Sequence, residues 1–204
     1  MIAIVNYGSG NIQAIANIYG RLGVPFAFVA APADLAPADR VILPGVGAFD
    51  QAMAELNASG MREALDACVL EGRKPILGIC VGMQLLAHTS EEGRSRGLGW
   101  IDAEVRRFDP AEIGERTQVP HMGWNTVVPV GRDPLFEGIE IDHGYYFLHS
   151  YYFSCHAEGD VLARTDYGGP FTSAVRKANV YGVQFHPEKS HQNGVRLLQN
   201  FARL

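Results

Sequence analysis

Cysteine is scarce. Cys68, Cys80 and Cys155 are the only three in 204 residues. An odd number, spaced far apart, excludes a disulfide framework as the source of stability. The adjacent Cys155 and His156 have no second pair at ligand spacing, so no zinc site and no other metal is expected. Positive charge is also in short supply. Lys and Arg total 17 against 22 Asp and Glu, a net charge of -5. This excludes a nucleic-acid binder working through a broad basic surface, while leaving room for a small local patch. No apolar run is as long as a membrane span. The apolar start MIAIVNYGSGN has no basic leader segment and is too short for a signal peptide, so a first strand and a cytoplasmic location are expected. Internal repeats, low-complexity tracts and long linkers are absent too, which points to a single domain over residues 1–204.

Apolar residues make up 47% of the chain, enough to bury a substantial core. In the first half short β-type runs alternate with helical ones. IAIV reads as a strand, after which Ile12, Ile15, Tyr19 and Leu22 recur at helical spacing up to Gly23. FAFV is the next strand, and RVILPGVGAF is a strand followed by a glycine-rich loop. In SGMREALDACVLEGR, Met61, Leu65, Cys68 and Val69 line one helical face, with Ser59 as candidate N-cap. KPILGIC reads as a strand buried on both faces, continuing into a helix through GMQLLAH. From Gly99 to Gln184 β-type runs follow one another, which predicts a largely antiparallel extension. Val195, Leu198 and Phe201 predict a packed closing helix. The expected fold is α/β, a three-layer open sheet, mixed but mostly parallel, flanked by helices.

At the join of KPILGIC and its helix stands Gly78-Ile79-Cys80-Val81-Gly82. This G-x-C-x-G sequence at a strand-to-helix junction is a nucleophile elbow with sulfur in place of oxygen. The glycines allow the sharp turn, and the helix that follows aims N–H groups and the positive end of its dipole at the sulfur. Such a nucleophile needs a base, and the base an orienting group. His186-Pro187-Glu188, at the end of a β-type run, supplies both, because alternate residues of an extended chain project to one side. Both motifs fall at the C-terminal ends of expected strands, where open α/β sheets place their sites.

Cys80 in GICVGMQLL, with His186 and Glu188 in HPE, resembles the Cys-His-Glu triad of the class I glutamine amidotransferases over the whole chain. NYGSGN, LPGVGAF and PHMGWN, with YFLHSYYF and FHPEKS, further resemble the branch of that family that works in histidine biosynthesis. Val81 departs from the family's usual leucine, but only its backbone N–H is expected to act. The resemblance implies hydrolysis of glutamine through a thioester, without cofactor, and transfer of ammonia to a cyclase subunit of (β/α)₈ fold in a heterodimer.

Acyl transfer needs N–H donors where the oxyanion develops. Val81 is one candidate, and the resemblance points to the loop of Val46 and Gly47 for the second. Gln84, one helical turn beyond Cys80, suits the substrate amide, and the resemblance adds the backbone of His149, Ser150 and Tyr151. It also implies a partner-facing side carrying Asn11, Trp124, Asn125, Tyr146 and Lys189. YGSGNIQ lacks the third glycine of a dinucleotide-binding loop and reads as a tight turn. The remaining histidines, His121 among them, read as structural or surface residues. Two alternatives stay open: a glutaminase of another branch, such as that of pyridoxal-phosphate synthase, and a non-catalytic cysteine redox sensor or chaperone. Neither needs all of these motifs together.

Overall fold

The first strand, β1 (Ile2–Val5), is buried at every residue, as IAIV demands of a strand covered on both faces. The computed structural model describes residues 1–111 and 118–204. Helix α1 (Ile12–Leu22) buries Ile15, Ala16, Ile18 and Tyr19 on one face and stops at Gly23, whose φ of 66° is left-handed. Then come β2 (Phe26–Val29), β3 (Arg40–Gly45), α2 (Phe49–Ala58), α3 (Met61–Asp66), β4 (Ile76–Cys80) and α4 (Val81–Gln84). In the second half most of the regular elements are strands: β5 (Thr89–Ser90), β6 (Ala103–Arg107), β7 (His121–Asn125), β8 (Val128–Pro129), β9 (Tyr145–His149), β10 (Tyr151–Cys155), β11 (Val161–Asp166), β12 (Pro170–Lys177) and β13 (Val180–Val183). Helix α5 (His191–Phe201) follows, with Leu197, Leu198 and Phe201 fully buried and Val195 half-buried.

The main sheet runs β2-β1-β3-β4-β13-β12-β10-β6-β5, with β11 and β8 attached beside β12. Its first five strands are parallel. From β13 onward the pairing turns antiparallel through β12, β10 and β6. The crossover from β1 to β2 moves one way along the sheet and that from β3 to β4 the other. Right-handed connections therefore place α1 on one face and α2 with α3 on the opposite face. Helix α5 packs beside α1, which completes a three-layer arrangement.

Four local details differ from the sequence expectation. Ser59 closes α2 rather than opening α3: its N–H donates to Glu55 O, its hydroxyl to Leu56 O, and Gly60 takes the N-cap position. Helix α2 was hidden behind the glycine-rich reading of its start. The helix after the elbow has only four residues, because Leu85 to Ala87 turn aside and Leu98 and Ile101 donate to the carbonyls of Leu85 and Leu86. Finally, YFLHSYYF is two strands. β9 pairs with β7 in a separate two-stranded sheet, and β10 joins the main one. The chain changes sheets at Ser150.

Candidate active site

Because β3, β4 and β13 are parallel neighbours, their C-terminal ends lie on one edge. Cys80 ends β4 directly beside Gly45 of β3. Its backbone, at φ 55° and ψ -114°, is one that non-glycine residues rarely adopt. Close packing holds it there. A Cβ on Gly82 would stand 1.9 Å from the Leu43 carbonyl oxygen, and one on Gly78 2.6 Å from the Gly82 oxygen. The elbow thus needs the glycines for space as well as for the turn.

His186 sits three residues beyond β13, nearly fully buried. Its Nδ1 lies 2.9 Å from Glu188 Oε1, and both side chains are almost wholly shielded from solvent. Burial pulls the His186 pKa down, but hydrogen bonds to Cys80 and Glu188 and the negative charge on each outweigh it. The pKa is pushed up to about 10. The sulfur faces this cation, whereas the four-residue α4 is too short to bring much dipole to it. The 3₁₀ turn Pro187–Lys189 fixes the pair. Lys189 N–H and the Ser190 hydroxyl both donate to the His186 carbonyl, and Ser190 Oγ accepts from Tyr146 N–H.

A cavity of about 300 Å³ opens at the elbow. It is lined by Val46, Gly47, Cys80, Val81, Gln84, His149, Ser150, Tyr151 and His186, together with Glu92, Pro120, Leu148 and Lys189. Cys80, His186 and all the oxyanion and substrate candidates from the sequence therefore share one cavity, and Glu188, which does not line it, is bonded to His186. Two of them have their donors engaged. The Val46 N–H donates to Ser9 Oγ at 3.0 Å, and the Ser9 hydroxyl returns a bond to the Val46 carbonyl. Gln84 Nε2 donates to Tyr151 O at 3.1 Å and to Gln184 Oε1 at 3.0 Å. The NYGSGN turn clamps the PGVG loop at a second point, where Tyr7 donates to the Pro44 carbonyl at 2.7 Å.

Sequence reasoning missed two polar residues at the site, one beneath the sulfur and one in the cavity wall. Gln184 is fully buried, with Nε2 3.8 Å from Cys80 Sγ. Its signal was a polar residue on the strand parity of His186. Glu92 is the one acidic residue lining the cavity among the described residues, and its Oε2 also accepts from Phe49 N–H at the start of α2. Nothing local in EEGRS marks it, because only the tertiary fold brings it across.

Of the partner-side candidates, Trp124 and Tyr146 face each other across β7 and β9. Trp124 is 48% exposed and stacks on His191 at 5.0 Å, while Lys189 Nζ lies 5.5 Å from the Tyr146 ring centre. Met122 and Leu148, another cross-strand pair, are exposed on the same face. Asn11 is exposed at the head of α1. Asn125 differs: its amide turns inward to His121 and the Asp166 carbonyl.

The profile described as "Glutamine amidotransferase class-I" matches residues 3–204. The chain is 53% identical to imidazole glycerol phosphate synthase subunit HisH of Bdellovibrio bacteriovorus and 46% identical to that of Leptospira interrogans. Each alignment covers all of both chains. Among solved structures, a glutamine amidotransferase superposes with a TM-score of 0.75 at 20% identity over the whole of both chains. PurLQS from Thermotoga maritima superposes at 0.72 and 20%, covering 99% of this chain and 97% of that one. At these identities the structural likeness speaks for the fold.

Proposed function

Since this chain belongs to the class-I glutamine amidotransferase family, we propose that the cavity at the elbow is where it hydrolyses glutamine. It serves as the glutaminase subunit of an imidazole glycerol phosphate synthase, in histidine biosynthesis. The observation that carries the site assignment is Cys80 held in a left-handed elbow, with His186 beside it in one cavity and buried Glu188 bonded to His186.

Cys80 Sγ attacks the side-chain amide carbon. The protonated His186 gives its proton to the departing nitrogen, which leaves as ammonia, and then takes one from water as that water attacks the thioester. Glu188 orients the imidazole and stabilises its charge. Glutamate leaves. Val81 N–H is one oxyanion donor. Glu92 faces the α-ammonium group, the only cation on the substrate. Gln84 has no amide hydrogen left for the substrate and contributes its carbonyl oxygen, while His149, Ser150 and Tyr151 form the opposite wall.

The second oxyanion donor is Val46, gated. In this conformation its N–H bonds Ser9, so a peptide rotation is needed to turn it towards the reacting carbonyl. Losing one such donor lowers turnover by about 10²–10³. The ammonia passes to a (β/α)₈ cyclase partner. That partner docks on the face bearing Met122, Trp124, Tyr146, Leu148 and Lys189, with Asn11 at its margin and Asn125 supporting it from within. An apolar, aromatic patch with a polar rim suits an interface core. We further read residues 1–204 as a single domain built on one continuous core, working in the cytoplasm.

The test is Cys80→Ala in the complex. Glutamine-dependent synthesis falls to background, while synthesis from added ammonium salt stays near wild type. Loss of the ammonium-driven reaction in a well-formed complex would overturn this division of labour.

A further inference from the structure

The imidazole rings of two buried histidines, His121 and His149, are not used in the chemistry above, yet they join the partner-facing strand to the substrate cavity. His121 Nδ1 lies 2.9 Å from His149 Nε2. The direction of each hydrogen bond follows from the groups at the two ends. Asn125 Nδ2 donates to the Asp166 carbonyl at 2.8 Å and its Oδ1 accepts from Thr126 N–H at 2.7 Å, which fixes the orientation of the amide. Nδ2 is therefore the donor to His121 Nε2, 3.2 Å away. At the far end His149 Nδ1 stands 2.8 Å from the Tyr151 carbonyl, a group that only accepts. Burial holds both rings neutral, pushing His121 down to about 4 and His149 to about 3. Each ring then carries one N–H. His149 has it on Nδ1 and so accepts at Nε2; His121 donates from Nδ1 and accepts at Nε2. Every bond runs the same way, from β7 to the cavity.

The Tyr151 carbonyl takes its second hydrogen bond from Gln84, which holds Gln184, which reaches Cys80 Sγ. The His121 ring is clamped between Phe147, at 4.6 Å, and Tyr167, at 3.8 Å. We propose that His121 and His149 are positioning residues: a one-way hydrogen-bond relay that sets the Tyr151 carbonyl, and with it Gln84 and the substrate wall, from the strand that carries Trp124. The functional half of this inference rests on reading the cavity as the glutamine site. The relay explains why two histidines occupy an apolar interior. Two amides or two phenylalanines could fill the volume, but a neutral imidazole supplies a rigid donor and acceptor on opposite sides of one ring.

Nitrogen-15 NMR of the intact chain tests the relay directly. Both histidines are expected as Nδ1–H tautomers, with a scalar coupling across the Nδ1–H···Nε2 bond. An Nε2–H tautomer at either position overturns the proposal. The functional arm is saturation of Cys80 labelling by the glutamine analogue 6-diazo-5-oxo-norleucine, in the wild type, His121→Phe and His121→Gln. Phenylalanine keeps the stacking and loses the relay; glutamine can donate to His149 and accept from Asn125.

For His121→Phe the half-saturating concentration should rise about tenfold, the cost of one hydrogen bond, with the maximal rate within about twofold. His121→Gln should return to within about threefold of the wild type. Unchanged half-saturation in folded His121→Phe, or equal losses in both variants that simply track lowered stability, overturns the relay. Iodoacetamide separates the two readings. A wild-type Cys80 that iodoacetamide alkylates but the diazo analogue ignores defeats the glutamine-site reading, while the tautomers still decide the relay.

Discussion

Cys80 and His186 depend on each other. The imidazolium persists in a buried site because the sulfur and Glu188 oppose the cost of desolvation. Cys80→Ala removes one of these partners, so the His186 pKa should fall from about 10 towards its ordinary value near 6.5, as read from imidazole proton shifts. The stability consequence has a definite sign. A histidine whose pKa is raised by folding stabilises the native state fully below about 6.5, and that contribution disappears as pH climbs through about 10. Urea unfolding of the wild type should therefore weaken more steeply between those values than that of Cys80→Ala. Glu188 offers a second contrast. Its Oε1 holds His186 while Oε2 is buried without a partner among the described residues. Glu188→Gln can keep the carbonyl on His186 Nδ1, so it loses charge but retains orientation. It should retain more glutaminase turnover in the complex than His186→Asn, which loses the base. Near-normal turnover in His186→Asn would require a different base.

Two short elements do most to build the site, and each makes a separate prediction. The elbow is a steric fit: the Gly82 α-carbon meets the Leu43 carbonyl so closely that any side chain displaces β3. Gly82→Ala should cost about 3 kcal/mol of stability or more by chemical denaturation, an overpacking effect. Thermal unfolding unchanged from the wild type would mean that β3 yields at little cost. The β7–β9 pair behaves oppositely, because its outer face is solvent-exposed in the chain alone. Trp124→Ala should leave thermal stability nearly unchanged and weaken cyclase binding by about 2 kcal/mol, as for an interface anchor. Lys189→Ala should lessen binding or coupling without changing thiol alkylation, since Lys189 follows the triad glutamate directly and lies over Tyr146. Unchanged affinity and unchanged activation in both variants would move the interface elsewhere.

At the scale of the whole molecule, the proposed triad is assembled while the N–H of Val46, the proposed second oxyanion donor, is engaged elsewhere. Ser9, on the loop after β1, holds the Val46 peptide on the loop after β3. A glutaminase running without its partner would waste glutamine, and on the reading proposed above this clasp would hold the chain in a low-activity state. Glutamate release should be slow for the chain alone and rise with the cyclase. It should rise most with cyclase and nucleotide ligand together, in kcat far more than in KM, because the donor acts on the transition state. Full kcat from the chain alone would reduce PGVG to an ordinary turn.

The residues proposed as nucleophile, base and orienting carboxylate were legible in the chain as candidates, because each lies in a short segment whose local chemistry is distinctive: glycines around Cys80, proline between His186 and Glu188. The alternation of β-type and helical runs likewise determined the α/β class, since apolar periodicity reports burial within a single element. What no local signal carried was the company these residues keep. Gln184 under the sulfur, Glu92 across the cavity, the Ser9 clasp on Val46 and the neutral His121–His149 pair all join residues tens of positions or more apart in the chain. The four-residue length of α4 and the change of sheet at Ser150 were decided the same way. A helix pattern cannot reveal that a distant loop competes for its carbonyls, and a β-type run cannot reveal which of two sheets will pair with it. Hydrogen-bond partners at long range exist only once the strands are in register, so the tertiary structure alone chose them.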